Sequence, residues 1–510
     1  MTPATIPAAL DRAAAVWPAA EAVVDGDVRL TFGDLRAHAL DVARALVASG
    51  VSVGDRVALW APNSADWIAT SFGIYYAGAV LVPLNTRYRG EEAGHILRTS
   101  GARLLFTVGS FLDVDYVASL SDVPGLEGLS ETVVMPSPEF LARGASVPVE
   151  DVVARASSIG ADDISDIIFT SGTTGAPKGA MLRHGASVET YLSWSSLVDL
   201  REGDRYLCVY PFFHTAGLKS GVLACVLRGA AIHPQPVFDV PVVLSTVARE
   251  GITMLPGPPT VFQTIVNHPD LASFDLSSVR SSVTGAAVVP VETIRQMRSV
   301  LGIRTVVTGY GMTETTGTIS MCRFDDPPEV IATTVGRPIP GVSVRIADDG
   351  EILVKGFNVM AGYFGDPAAT AAAFDSDGWL MTGDVGFVDD DGNLHITDRK
   401  KDMFIVGGFN AYPAEIEAVL LQHPSVAQVA VVGAPDPRLG EIGVAFVVPT
   451  GDAGPLDPDD LLQWAWERLA KFKLARVELV DALPLNPTGK VQKFKLRERL
   501  GSRDGGDQVC

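Results

Sequence analysis

At 510 residues, 47% of them hydrophobic, the chain can fill several domain-sized units and bury a large core; its formal net charge is −20. That acidic balance disfavours a sequence-independent grip on nucleic acid or on anionic lipid, both of which need clustered Lys and Arg. The four cysteines, Cys208, Cys225, Cys322 and Cys510, form no Cys-x-x-Cys pair, so reduced thiols in a cytoplasmic protein are expected, not a disulfide scaffold or a zinc ribbon.

The N-terminus is apolar in parts. It lacks a cationic leader region, and Asp11 and Arg12 interrupt it, so no signal peptide is expected. No apolar run approaches the roughly 18 residues of a membrane span. Thr31 with Asp34 predicts a helix start, Leu35, Leu40, Ala43, Leu46 and Val47 its apolar face, and Gly50 its stop. Residues 56–60 (RVALW) read as a strand, Ser64 to Ala77 as a helix, and 79–83 (AVLVP) as a second strand. This βαβ unit implies a parallel sheet covered by helices. Ile167-Ile168-Phe169 reads as a buried strand, and it runs into TSGTTGAPKG, Thr170 to Gly179.

The alternation continues to about residue 395, where a charged crossing, ITDRKKDMFIVGG (396–408), separates two apolar stretches. Beyond it the pattern predicts a helix over 412–422, strands over 427–432 and 444–448, a helix opened by Asp457-Pro458, and a strand over 476–480. These elements read as a separate C-terminal domain on one thin linker. The basic tail TGKVQKFKLRERL reads as an amphipathic helix.

The loop TSGTTGAPKG is not a Walker loop, since Pro177 precedes Lys178 and Gly179 follows it. Nor is it a dinucleotide turn. Its backbone N–H groups and hydroxyls suit phosphate oxygens; a flexible surface turn has the same composition. Its company separates the two readings. GYGMTE (309–314), TGD (382–384), DRKKD (398–402), GGFN (407–410) and PTGK (487–490) follow in order. Together these motifs resemble those of the adenylate-forming superfamily of acyl-CoA synthetases, luciferases and peptide-synthetase adenylation domains, over nearly the whole chain.

The resemblance implies an α/β fold with a large N-terminal domain of layered sheets and helices (1–398), a hinge (399–401) and a smaller mobile α+β domain (402–510). It implies a two-step reaction: a carboxylate attacks the α-phosphate of ATP to give an acyl-adenylate, and coenzyme A then displaces AMP. ATP, Mg²⁺, coenzyme A and a small carboxylic acid are the implied ligands; oligomeric state stays open. Thr170, Ser171, Gly172, Thr173, Thr174, Gly175 and Lys178 would cradle the departing phosphates. Glu314, with Thr170, would hold Mg²⁺, for which hard oxygen ligands are apt. Gly285, Ala286 and Ala287 would line the adenine, Tyr310 would stack on it, and Gly311 and Thr313 belong to the same loop. Asp384 and Arg399 would meet the ribose. Lys490 would stabilise charge at the α-phosphate during adenylation, Lys401 would act as the hinge, and Gly408 would border the pantetheine path, where a side chain would block it. Without the family context each of these is an ordinary loop, turn or solvent-facing residue.

Residues 211–227 (PFFHTAGLKSGVLACVL) read as a wall of the acyl pocket, with His214 at a gate position implied by the resemblance. No aspartate stands between Phe212 and Leu227 to pair a substrate ammonium, which disfavours an amino acid. Lys219 places a charge in an apolar run, where it is costly to bury unpaired. It either points to solvent or meets a polar group on the acid, such as a keto group. FFHTAGLKSGVLAC, TMLPGPPTVFQ, FDLSSVRSSVTGAAVVPV and TISMCRFDDP resemble bacterial acid–CoA ligases of late steroid breakdown, which act on a two-ring keto propanoate. A medium-chain fatty acid or an aryl acid is the alternative substrate. A luciferase-like oxygenase and a catalytically silent nucleotide-binding regulator are the alternative functions.

Overall fold

The computed structural model describes residues 2–170, 177–285, 289–400, 402–406, 409–436, 438–451, 456–485 and 491–504. The chain packs as two compact units, Met1–Val344 with Val354–Leu380, and Arg345–Leu353 with Met381–Cys510. This division falls ahead of residues 399–401, the segment assigned above as the hinge.

In the first unit, helix Phe32–Ala48 opens with the expected reciprocal cap: Asp34 N–H donates to Thr31 Oγ1 at 3.1 Å, and Thr31 N–H donates to the Asp34 carboxylate at 3.0 Å. Strands Arg56–Trp60 and Val80–Pro83 pair in parallel across helix Ala65–Tyr76, which Ser64 caps. They lie inside a six-stranded sheet ordered Lys178–Arg183, Ile164–Thr170, Val80–Pro83, Arg56–Trp60, Leu104–Thr107 and Glu131–Val134. All neighbours are parallel except the first pair, an antiparallel hairpin in which Lys178 stands opposite Thr170. Ala58, Leu59, Val82 and Leu105 are fully buried; a parallel sheet covered on both faces needs such unbroken apolar runs. A second sheet pairs Ser281–Gly285 in parallel with Thr305–Tyr310, over a core that includes Phe262, Ile294, Met297 and Val306. Thr170 and Tyr310 thus both stand at carboxyl ends of strands, where open α/β sheets bind ligands.

The second unit carries a five-stranded sheet. Its order is Phe409–Ala411, Phe404–Val406, Gly440–Pro449 and Val426–Asp436, and Arg476–Leu479 pairs in parallel with Gly440–Pro449. The two long strands extend well beyond the expected 427–432 and 444–448. Their antiparallel ladder continues to Asp436 opposite Gly440, where Gly440 at φ +82° turns the chain. Helix Pro458–Trp466 is capped by Asp457, and the basic tail forms helix Lys493–Asp504, burying Leu496 and Leu500 against Val432 and Phe446. No helix among the described residues is long and apolar enough to cross a membrane.

Candidate active site

Glu314 sits in a short turn, Thr313–Thr315, just after strand Thr305–Tyr310, and is 6% exposed. Close backbone packing places it. Met312 N–H donates to Thr315 Oγ1 at 3.1 Å, and Gly317 N–H donates to Met312 O at 2.9 Å. Thr316 and Gly317 take positive φ (56° and 93°). A Cβ on Gly311 would lie 2.3 Å from Gly317 O, so this position admits only glycine. Buried Asn358 buttresses the turn: its Nδ2 donates to Thr318 O at 2.7 Å, and its backbone carbonyl accepts from Thr316 Oγ1 at 2.7 Å. Met360 N–H donates to Glu314 O at 2.8 Å. These contacts fix the backbone that carries the Glu314 carboxylate.

Two hydroxyls converge on Glu314 Oε1, Tyr363 at 2.9 Å and Thr170 at 3.5 Å. Burial, and then the neighbouring Glu314 charge, hold the Tyr363 phenol well above its ordinary range, so it stays a donor. The Lys178 ammonium lies 5.3 Å from the centre of the Tyr363 ring, a cation–π contact. The structure therefore unites Thr170, Lys178 and Glu314, and adds Tyr363. Nothing local marks Tyr363, which stands 49 residues beyond Glu314 in the chain. No cluster of three or more His, Cys, Asp or Glu suited to a metal occurs among the described residues. Glu314 and Thr170 nonetheless fit Mg²⁺, which usually takes one or two carboxylates and fills its remaining positions with water and substrate phosphates.

Gly285 ends its strand at φ +152° opposite Gly309, next to half-buried Tyr310. Thr313 is buried. His214 is half-buried, and its Nδ1 accepts from Ala216 N–H at 3.2 Å. The loop before it hangs on Asn63, which accepts from Phe212 N–H at 2.8 Å and donates to Tyr210 O at 2.9 Å. Sequence reasoning missed Asn63.

Lys219 behaves differently from both expectations. It neither faces solvent nor awaits the substrate: it is fully buried and ion-paired with Asp166, itself fully buried. Tyr75 donates to Asp166 Oδ1 at 2.5 Å and Ser165 to Oδ2 at 2.5 Å. Desolvation pulls the lysine below its ordinary range, and Asp166 opposes that shift. Asp166, alone in the apolar run ISDIIF, was the available clue.

In the second unit, buried Asp384 stands opposite Arg399 in an antiparallel pair. Glu351 braces the TGD turn, accepting from Gly383 N–H at 2.9 Å and from Lys400 Nζ at 2.8 Å. Ser171, Gly172, Thr173, Thr174, Gly175, Ala286, Ala287, Lys401, Gly408 and Lys490 lie outside the described residues, as does the side chain of Arg399.

The AMP-binding enzyme family matches residues 10–364, and the AMP-binding enzyme C-terminal domain matches residues 415–490. The chain is an AMP-binding enzyme. Two relatives share 48% identity over 97% of this chain: 3-[(3aS,4S,7aS)-7a-methyl-1,5-dioxo-octahydro-1H-inden-4-yl]propanoyl:CoA ligases of Rhodococcus jostii, 99% covered, and Mycobacterium tuberculosis, 98% covered. An Amycolatopsis feruloyl-CoA synthase is 39% identical over 96% of this chain and 98% of its own. Among solved structures, the anthranilate CoA ligase AuaEII with anthranoyl-AMP superposes at a TM-score of 0.86 and 28% identity, covering 98% of each chain. ATP-bound MatB from Rhodopseudomonas palustris gives 0.84 and 30%, covering 97% of this chain and 99% of its own. The relatives of this AMP-binding enzyme are AMP-forming acyl-CoA ligases, as the ordered motifs imply.

Proposed function

We propose that this AMP-binding enzyme joins a steroid-derived bicyclic keto propanoate, HIP (methylhexahydroindanedione propanoate), to coenzyme A at the expense of ATP. One observation carries the chemistry: the buried Glu314 carboxylate, held by Tyr363 and Thr170, with Lys178 against the Tyr363 ring. The substrate rests on 48% identity, end to end, to two ligases named for that acid.

A carboxylate is a weak nucleophile, and the α-phosphate it attacks is ringed by negative charge. The site must therefore supply cations and oriented donors where charge accumulates. Thr170 and Lys178, with the Ser171–Gly175 loop between them, hold the β- and γ-phosphates and release pyrophosphate. Mg²⁺ bound through Glu314 and Thr170 would neutralise phosphate charge. Tyr310 stacks on adenine beside Gly285, and Asp384 and Arg399 take the ribose. Lys490 supplies a point charge at the α-phosphate. Rotation about Lys401 withdraws Lys490 after adenylation and brings up Gly408 for thioester formation. His214 gates the acyl side.

Acid-dependent exchange of pyrophosphate into ATP tests the first step: its absence in purified protein would falsify the ligase assignment and leave a silent nucleotide binder. The feruloyl-CoA synthase relatives favour an aryl acid as the second reading.

A further inference from the structure

The Lys219–Asp166 pair lies in the core and takes no part in the contacts among Glu314, Tyr363 and Thr170. Both residues are fully buried. Replacing such a pair by apolar side chains of similar volume is often neutral or stabilising, so stability alone does not explain its presence. A buried polar contact can instead fix one arrangement of the elements it joins.

The elements joined here both lead into the site. Asp166 is carried by strand Ile164–Thr170, whose last residue donates to Glu314 and opens the phosphate loop. Lys219 is carried by the π-helical segment Ala216–Leu223, which begins two residues after His214. The His214 carbonyl accepts from Gly217 and Leu218 N–H at 3.0 and 2.9 Å, so the gate is continuous with that segment. The opposite face of the segment has no slack. A Cβ on Gly217 would lie 2.1 Å from Pro211 O, and one on Gly221 would lie 2.7 Å from Cys208 Sγ. Packing around Leu218, Val222 and Leu223 is non-directional. The ion pair, which also accepts the Tyr75 and Ser165 hydroxyls, is directional and adds to these close approaches in holding the segment in register.

We propose that Lys219 and Asp166, with Tyr75, are positioning residues that set the distance between the acyl gate and the phosphate loop, and so align the acid with the α-phosphate during adenylation. The inference rests on the ligase reading above. Because both side chains are fully buried, the role proposed is indirect, and none is assigned to them in the attack of coenzyme A on a preformed acyl-adenylate. A displacement of about 1 Å between reacting groups can cost on the order of a hundredfold in rate.

The test removes the polar cluster as a unit: Tyr75→Phe, Asp166→Leu and Lys219→Met together, with the Ser165 hydroxyl keeping its bond to Leu182 O at 3.2 Å. Acid-dependent pyrophosphate exchange and thioester formation from supplied acyl-adenylate are measured, with a thermal melt. The expected result is a cooperative melt no lower than wild type, exchange kcat down about tenfold or more, and thioester formation unchanged. Wild-type exchange in the triple variant would make the cluster purely structural, and an equal fall in both half-reactions would make the damage general; either overturns the proposal. If the triple variant shows no cooperative melt, Tyr75→Phe alone decides: a selective fall of about threefold in exchange supports positioning, and an unchanged rate overturns it. Wild-type protein is run alongside, and its failure to exchange would count against the ligase reading and not against this one.

Discussion

Replacing Glu314 by Gln separates the charge of this residue from its shape. The amide oxygen can still accept from Tyr363 and Thr170, now 2.9 and 3.5 Å from Oε1, so the turn should persist. The stability loss is the difference between bonds to a charged and to a neutral acceptor, about 1 kcal/mol. In a chain of this size that lowers the melting temperature by roughly 1 °C. Catalysis should suffer far more. Two unit charges about 4 Å apart, at an effective dielectric near 20, interact by about 4 kcal/mol, which is a floor for a divalent cation. That corresponds to about a thousandfold in rate. The assay is acid-dependent pyrophosphate exchange across a magnesium titration, with a melt in parallel. Exchange within about threefold of wild type would refute the cation-holding role. Loss of exchange together with loss of the cooperative melt would show that Glu314 serves the fold.

Lys490→Ala should abolish adenylate formation and leave thioesterification of supplied acyl-adenylate intact; equal loss of both contradicts the division of labour between the half-reactions. Lys401→Pro should spare pyrophosphate exchange and slow overall thioester formation, and an unchanged overall rate removes the hinge. Stability should fall in acid through His184 and His233, both pulled by burial from near 6.5 to about 4. Because the folded values lie below the unfolded ones, the unfolded chain takes up protons first. Stability is therefore fully present above about pH 6.5 and is lost as pH falls toward about 4, by up to about 3 kcal/mol per histidine. A melt series over this range checks it, and His184→Gln should shrink the drop; an identical drop would assign it to other groups.

Local chemistry wrote much of this fold legibly. Thr31 with Asp34, Ser64 and Asp457 each cap the helix they were expected to start, because capping needs only neighbours a few residues away. Strand lengths in the second unit were less legible: the ladder from Val426 to Asp436 is set by its partner strand, not by its own composition. At the site, the motifs named Glu314, Thr170 and Lys178, but not what holds them. Tyr363 and Asn358 act across the fold, and no spacing rule points to them. Lys219 failed for the same reason. Its apolar surroundings suggested either solvent or substrate, whereas its partner lies 53 residues earlier, in another strand. Two isolated charges in separate apolar runs are a sequence signal for such a pair, and it can be read only when the runs are considered together.

The central claim is best tested by acid-dependent loss of coenzyme A thiol in a panel containing HIP, medium- and long-chain fatty acids, and aryl acids such as ferulate. The account predicts the highest kcat/KM with HIP, with AMP and pyrophosphate released in step with thioester. Faster turnover of a simple fatty acid or of ferulate than of HIP would contradict it.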